Sequence, residues 1–281
     1  MIIRNMHFSD IEFAYQCTRG EGWVGETEDK FESLLSFNPG GCFVAEKDAQ
    51  KIGICVATKY RTNGFIGELV VVKEMRHQGY GSRLFEHAIK YLRSNCIQNI
   101  YLDADLDAVS LYEKYGFRKV TRSLRFVGKL SGKNNSLVQQ ATHNDIENIC
   151  KIDTQLFADD RSYFLRRRYQ TFPNLCLVSK TNRTISGYIL GRPGINVISV
   201  VPMAVLNDNV DPLELLEAFA HQVQNRPLRI GVLENNIKAA ALFRSIRTLE
   251  EKEYCWRMLL GDSDKLGSSE KLYTIGSGAK G

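Results

Sequence analysis

The sequence predicts two α/β domains in tandem, each a mixed, mainly antiparallel twisted sheet flanked by helices. Three observations predict this architecture. The chain has 281 residues, whereas single hydrophobic cores usually stop growing near ~250 residues. Segments rich in β-branched residues alternate with segments whose apolar residues recur every three to four positions, the periods of strands and helices. Finally, short sequences of the first half recur about 130 residues later, which indicates a duplicated unit.

The elements of the first half follow in order as strand, helix, helix, three strands, helix, strand, helix and a final pair of strands. Ser9 can cap the first helix because a serine hydroxyl accepts a hydrogen bond from an unpaired backbone amide. The apolar stripe that contains Leu84, Ala88 and Leu92 predicts a core-facing helix from Gly81 onward. The predicted strands cover 2–5, 42–46, 52–57, 65–72 and 100–102, a short helix covers 109–115, and the strand pair begins at Phe117.

Two pairs of similar sequences indicate the duplication. MHFSDIE at 6–12 is echoed by ATHNDIE at 141–147, and VSLYEKYGF at 109–117 by AALFRSIRT at 240–248. The two matches keep their order and nearly the same spacing.

A polar run, SGKNNS, separates the two copies, and it can support neither a buried strand nor a helix. We therefore expect domains at 1–130 and 137–261, a linker at 131–136 and a flexible tail at 262–281.

Composition and motif searches exclude several classes of protein. The longest apolar stretch is broken by Pro202 and is shorter than the ~20 residues that cross a bilayer, so we expect no membrane partner. The first residues lack a secretory signal, and seven cysteines without a C-x-x-C pair fit a reducing compartment. Both features favour a cytoplasmic protein. No cysteine or histidine has zinc-site spacing, so we expect no metal.

The net charge of +5 is modest and the two signs are interleaved, which favours a small-molecule partner over nucleic acid. The alternative is a basic surface formed by one run of arginines. Such a run is more often a solvated helix face. It comprises Arg161, Arg166, Arg167 and Arg168.

One segment, ELVVVKEMRHQGYGSRL at 68–84, is the most informative about function. A hydrophobic strand enters a loop with Gly79 and Gly81, and an amphipathic helix follows directly. Such glycines let backbone amides point outward, and a helix N-terminus attracts anions, so the loop fits a pyrophosphate. An ordinary strand-to-helix turn remains the alternative. The formal G-x-G-x-x-G at 20–25 follows a helix and adjoins acidic residues, so it is not a dinucleotide fingerprint.

The run RHQGYG at 76–81 resembles the R/Q-x-x-G-x-G/A signature of the GNAT N-acetyltransferase superfamily. About 30 residues later, LYEKYGF at 111–117 resembles the second signature of that superfamily, a short tyrosine-bearing helix followed by Gly-Phe. NNIKAAALF at 235–243 looks like a degenerate copy. The chain is therefore similar to tandem GNAT proteins whose second unit has drifted.

The resemblance implies an enzyme that moves an acetyl group from acetyl-CoA directly to a primary amine. It makes Tyr112 the general acid that protonates the leaving thiolate; the alternative is an aromatic residue that only packs a helix on the sheet. Asp105 replaces an asparagine common near CoA. The implied cofactor-binding residues are Leu69, Val70 and Val71 for the pantetheine arm and Arg76, His77, Gln78, Gly79, Tyr80, Gly81 and Ser82 for the pyrophosphate.

The acceptor amine must lose a proton, because an amine with a pKa near ~10.4 is mostly charged at neutral pH. Asp103 and Glu68 are the two candidate bases, and either could equally be a surface or salt-bridging acid. Glu21 and Trp23 precede the second helix in an acidic segment that could favour a cationic small-molecule amine. A solvated loop with Trp23 in the core explains them equally well.

The second copy lacks the residues that the resemblance requires. Pro202 and Pro212 remove backbone donors, Phe243 stands at the tyrosine position, and Arg247 replaces the glycine of Gly-Phe. We therefore expect one active site per chain, with the second unit packing against the first, completing the acceptor pocket or mediating association as a homodimer. A non-catalytic acetyl-CoA sensor or scaffold is the alternative function, because a fold does not guarantee chemistry.

Overall fold

The computed structural model describes residues 1–277, which form two compact α/β units. The first unit comprises Met1–Val120 and Arg257–Ser263, and the second comprises Thr121–Trp256 and Asp264–Ser277. Each has a mixed, mainly antiparallel sheet with helices, so the predicted fold class is confirmed. Within the described residues, every helix is too short or too polar to cross a membrane.

The first unit follows the predicted order of elements. Its strands are β1 (Ile2–Asn5), β2 (Cys42–Lys47), β3 (Gln50–Lys59), β4 (Asn63–Val71) and β5 (Asn99–Ala104). Its helices are α1 (Ile11–Gly20), α2 (Glu28–Phe37), α3 (Tyr80–Ser94) and α4 (Val109–Glu113). The strands lie in the order β1-β2-β3-β4-β5. All these neighbours are antiparallel except β4 and β5, which are parallel.

The second unit repeats this topology, as the sequence duplication predicts. Its strands are β6 (Arg118–Gly128, from Thr121 onward), β7 (Val138–Gln140), β8 (Cys176–Thr181), β9 (Thr184–Pro193), β10 (Ile198–Val205), β11 (Leu228–Leu233) and most of β12 (Leu249–Leu260). Its helices are α5 (His143–Phe157), α6 (Ser162–Thr171), α7 (Pro212–Gln222) and α8 (Ile237–Ser245). The order β7-β8-β9-β10-β11 again contains one parallel pair, β10 and β11.

The sixth strand of each sheet comes from the other half of the sequence. In the second unit, β6 pairs with β11 from Ser123 opposite Leu233 to Gly128 opposite Leu228. In the first unit, residues 257–260 of β12 follow β5 in the strand order. The compact units therefore differ from the expected limits of 1–130 and 137–261, because sheet hydrogen bonds decide which unit a strand belongs to.

The segment expected as a flexible tail is largely packed. Leu266, Leu272 and Ile275 are buried, and the backbone amide of Ile275 donates to the Gly231 carbonyl at 2.9 Å. Spaced apolar residues thus anchor a Gly- and Ser-rich segment to the second unit. The last part of the expected tail, 278–281, lies outside the described residues. The expected linker also forms contacts, since the Gly132 amide donates to Asn225 Oδ1 at 2.8 Å.

Two local expectations differ from the structure. Ser9 lies inside a short 3-10 turn, Phe8–Asp10, that precedes α1. Asp10 stands at the N-cap of α1 but makes no side-chain cap hydrogen bond to that helix; its Oδ2 accepts from the His7 amide at 2.8 Å, within the capping box of the 3-10 turn. The strand pair expected after Phe117 is one long strand, β6. It is continuous because no glycine or proline that could form a turn interrupts the sequence before Gly128.

Candidate active site

A β-bulge at Glu68 distorts β4 in the middle of the first unit. The pairing with β3 shifts register between Ile54 and Val56. Opposite that shift, Glu68 has a φ of +52°, in the left-handed region that non-glycine residues rarely adopt. A bulge bends the strand and redirects a side chain. Here it directs the Glu68 carboxylate into the protein, where the residue is 3% exposed.

The same strand separates from its parallel neighbour. β4 pairs with β5 at Asn63, Gly64 and Phe65, and in the described register no further pair follows. Val70 and Val71 remain paired with β3 on the other side. The predicted pantetheine-binding residues, Leu69, Val70 and Val71, therefore lie on a strand segment that has left β5.

The N-terminus of α3 lies directly after this segment. Gly79 is its N-cap with a φ of +79°, and no side chain among the described residues caps the helix. A Cβ at Gly79 would meet nothing within 4 Å, and one at Gly81 would meet only Val71 Cγ2 at 3.7 Å. The first-turn amides of a helix have no partner inside the helix, so this notch presents backbone donors beside open space.

The remaining residues of the predicted pyrophosphate loop surround the notch. The Arg76 side chain turns back, donating from Nε to the Val71 carbonyl at 2.9 Å and pairing through Nη2 with Glu21. His77 has a φ of +60°, and it and Gln78 are exposed. The Tyr80 ring lies 5.5 Å from Lys47 Nζ. The Ser82 carbonyl accepts from the Tyr115 hydroxyl at 3.3 Å.

Glu21 and Trp23 occupy the segment between α1 and α2. Because Glu21 pairs with Arg76, it contacts the predicted cofactor-binding loop. Trp23 is half-buried, and its amide donates to the Thr18 carbonyl at 3.2 Å. Arg76 thus connects Glu21 to the end of β4, because it contacts both Glu21 and the Val71 carbonyl.

Tyr112 lies on α4 in an aromatic cluster. Its ring centroid is 4.8 Å from that of Phe85 on α3 and 6.4 Å from that of Phe117. Gly116 has a φ of +85° and turns the chain so that Phe117 can return to this cluster. The half-buried Tyr112 therefore packs as an aromatic residue while remaining partly accessible. Asp105 lies just before α4, at the start of a 3-10 turn.

The two candidate bases are both ion-paired. The Asp103 side chain, at the end of β5, is 1% exposed and pairs with Arg257 Nε. A second contact joins Arg257 Nη2 to Asp103 Oδ2 at 3.4 Å, and the guanidinium lies 4.9 Å from the Phe65 ring centroid. Arg257 was missed by sequence reasoning. No local signal could have found it, because it lies 154 residues after Asp103.

Glu68 belongs to a buried cluster with Lys30 and Glu26. Lys30 Nζ pairs with both carboxylates, and the Lys30 and Glu68 side chains are each 1% exposed. Sequence reasoning also missed Lys30. A signal was present, because Lys30 stands four positions before Leu34 and therefore on the apolar face of α2.

The matching helix of the second unit is already capped. Asp211 precedes α7 and its side chain accepts from the Leu213 amide at 2.8 Å, with Pro212 at the first helical position. Phe243, at the tyrosine position, is fully buried. The N-terminus of α7 therefore offers an anion fewer unpaired backbone donors than the notch before α3.

The run of arginines does not form one exposed surface. Arg161 is buried and makes two contacts to Asp153, at 2.7 and 2.9 Å. Arg168 is buried and donates to the Val201 carbonyl at 2.5 Å. Arg166 pairs with Glu147. Among residues 1–277, no group of three or more His, Cys, Asp or Glu side chains could hold a metal ion.

The first unit thus combines an α/β fold with a bulged strand that has left its parallel neighbour and with a helix N-terminus that no described side chain caps. The chain belongs to the GNAT acetyltransferase family, as a tandem GNAT protein. Residues 8–117 match the acetyltransferase (GNAT) family model, and residues 149–274 match the acetyltransferase (GNAT) domain model.

Two curated relatives resemble part of the chain. N-alpha-acetyltransferase 30 of Dictyostelium discoideum is 32% identical over 103 residues, which cover 34% of this chain and 56% of that protein. N-alpha-acetyltransferase 30 of Schizosaccharomyces pombe is 32% identical over 96 residues, covering 31% of this chain and 64% of that protein. The chain spans less than two thirds of the length of either relative.

Solved structures share the fold over nearly the whole chain. A Pyrococcus horikoshii protein solved as a candidate acetyltransferase is 24% identical, with a TM-score of 0.84 and coverage of 100% of this chain and 95% of that chain. A tandem GNAT protein from the clavulanic acid biosynthesis pathway is 11% identical, with a TM-score of 0.64 and coverage of 94% and 99%. At these identities the likeness shows the fold alone.

Proposed function

We propose that the first unit is an acetyl-CoA-dependent N-acetyltransferase acting on a primary amine of a small molecule. The observation that carries the proposal is the uncapped N-terminus of α3, where Gly79 and Gly81 leave open space beside backbone donors. Glycine loops that lead into helix N-termini bind phosphate groups. The residues present therefore fit the diphosphate of a CoA carrier.

Acetyl-CoA supplies a thioester, which an amine can attack and from which a thiol leaves. The loop from Arg76 to Ser82 would hold its diphosphate, and Leu69 to Val71 would line its pantetheine arm. Arg76 supports both parts, because it hydrogen-bonds the Val71 carbonyl from within the loop. Asp105, just before α4, would lie near the carrier in place of an asparagine.

Two side chains would carry the protons of the reaction in this proposal. Glu68 would receive the proton of the acceptor ammonium, since it lies at the bulge of β4, beyond the last pairing of that strand with β5. Tyr112 would donate a proton to the leaving thiolate, because a phenol with a pKa near ~10 can protonate a thiolate of pKa near ~8.5. Asp103 is the second candidate base. Both candidates are held in buried ion pairs, Asp103 with Arg257 and Glu68 with Lys30.

The acceptor is expected to be cationic. Glu21 is connected to the end of β4 through Arg76, and Trp23 follows it in the same acidic segment. A cation would gain from the acidic charges and from the indole ring. A peptide α-amine is a second candidate, because the first unit resembles two N-alpha-acetyltransferases at 32% identity. Equal turnover of neutral and cationic amines would contradict the cationic preference.

The test is release of free CoA from acetyl-CoA over a panel of polyamines, amino acids, amino sugars and peptides with free N-termini, with mass analysis of the products. The proposal requires an N-acetylated product. A sensor or scaffold would instead bind acetyl-CoA saturably and release no CoA. The absence of saturable binding by calorimetry would refute both functions. Homodimer formation remains a separate prediction, which sedimentation velocity tests.

A further inference from the structure

The buried cluster of Glu26, Lys30 and Glu68 places one ammonium between two carboxylates. Lys30 Nζ pairs with Glu26, four residues earlier in the sequence, and with Glu68 on β4. Lys30 is 1% exposed, Glu68 3% and Glu26 7%. The three charges are therefore shielded from water, and their contacts are strongest in such surroundings.

A lysine is an unfavourable choice for this position if packing alone is required. The neighbouring buried positions of α2 hold Phe31, Leu34 and Leu35, and an apolar side chain at position 30 would extend that face. Burying an ammonium is unfavourable unless it is paired. The cluster therefore implies a use for the positive charge itself.

The titratable and charged groups that face Glu68 come from four parts of the first unit. Lys30 lies on α2 and Glu26 just before it, while Cys42 on β2 and Cys55 on β3 are close enough to interact with its charge. Burial, with a smaller contribution from Glu68, raises the pKa of Cys42 to about 12. Burial likewise raises the pKa of Cys55, so both thiols stay neutral. Lys30 supplies the positive charge of this set.

We propose that Lys30 is a positioning residue for Glu68: its ammonium holds the Glu68 carboxylate at the bulge and keeps it ionised. The inference rests on the proposed function, in which Glu68 is the base. The acceptor ammonium gives one proton to the ionised carboxylate, which leaves a neutral amine to attack and a carboxylic acid at Glu68. The second proton of the attacking nitrogen replaces the one that Tyr112 gives to the leaving thiolate. When the product leaves, Glu68 releases its proton into the vacated acceptor site, and the carboxylate returns to its pairing with Lys30.

Removal of the Lys30 ammonium should shift the acid limb of the pH profile of kcat/KM to higher pH. Without Lys30, Glu68 and Glu26 would be two buried carboxylates close together, and like charges favour the protonated form. Less of the base would then be ionised at neutral pH. The change would appear in the acid limb of the pH profile and not in the binding of acetyl-CoA.

The experiment compares the pH profile of kcat/KM for one acceptor amine in the wild type, Lys30→Met and Lys30→Arg. Lys30→Met should move the acid limb upward by at least one pH unit, lower kcat/KM at pH 7 about tenfold or more, and recover activity at alkaline pH. Lys30→Arg should stay near the wild type. Lys90→Met is the matched control, because Lys90 also pairs with a glutamate four residues earlier but is 74% exposed.

Glu26→Gln provides an independent test of the effect of Lys30 on Glu68, which is needed if Lys30→Met fails to fold. With Glu26 neutral, the ammonium acts on Glu68 alone, so the acid limb should move to lower pH. An unshifted limb in Lys30→Met, an equal shift in Lys30→Arg, or an upward shift in Glu26→Gln would overturn the inference. These results leave the proposed function intact. A wild-type protein that binds acetyl-CoA but transfers no acetyl group would overturn both.

Discussion

Replacement of Arg257 by methionine should destabilise the first unit strongly. Arg257 is 2% exposed and the Asp103 side chain 1% exposed, and the guanidinium makes the two contacts to Asp103 described above. Methionine keeps much of the alkyl volume but leaves the carboxylate without its cation. The perturbation is therefore one of charge pairing more than of packing.

The expected loss in the free energy of unfolding is about 3–5 kcal/mol, the range for breaking a buried ion pair by removing one partner. Loss of the guanidinium above the Phe65 ring adds up to about 2 kcal/mol. Adding Asp103→Asn to Arg257→Met should recover more than half of the loss, because the buried group left behind is then neutral.

Urea unfolding followed by far-UV circular dichroism measures these differences. Arg244→Met is the control, since Arg244 also pairs with acidic side chains, Glu234 and Glu251, but is 43% exposed. Exposed pairs contribute about 0–1 kcal/mol. If Arg257→Met lost no more stability than Arg244→Met, or if the double variant recovered nothing, the buried pair would not support the first unit as argued.

Three further predictions concern the cofactor loop, the general acid and acid stability. Gly79→Val should weaken acetyl-CoA binding in calorimetry at least tenfold, because a β-branched residue is strained at a φ of +79°; unchanged affinity would remove this loop from the site. Tyr112→Phe should lower kcat about 10²–10⁴-fold while the Kd for acetyl-CoA stays within about twofold, and an unchanged kcat would leave Tyr112 a packing residue. The hydrogen bond from Arg4, followed by that from Lys51, holds the pKa of Asp10 well below its usual range, so its stabilising effect is present above an unfolded pKa near ~3.9 and is lost as the pH falls toward the folded value. Urea midpoints between pH 4 and pH 2 should therefore fall less steeply in Asp10→Asn than in the wild type.

Periodicity and turn chemistry allowed most of the first unit to be predicted from sequence. The stripe of Leu84, Ala88 and Leu92 marked α3 because a helix of 3.6 residues per turn brings such positions to one face. The glycine loop was predictable for a similar reason, since Gly79 occupies a backbone conformation that few other residues adopt. Local sequence decides both features.

The parts that escaped prediction depend on long-range pairing. The pattern of β12 shows that it is a strand but not which sheet receives its last residues, so the contact of Arg257 with Asp103 could not be foreseen. The bulge at Glu68 depends on the register between β3 and β4. The polar composition after Gly261 concealed Leu266, Leu272 and Ile275, whose burial requires a surface that only the folded second unit provides.

The origin of the sixth strand of the first sheet has a consequence for biosynthesis. When Val120 leaves the ribosome, the residues that finish its sheet, from Arg257 onward, are still untranslated. At ~5–20 residues per second the wait is on the order of ten seconds, during which β5 has an open edge that invites unwanted pairing. A premature stop in the second half would leave that edge open permanently. The second half of the chain therefore has a structural role in the first unit, because it supplies the strand that completes the first sheet.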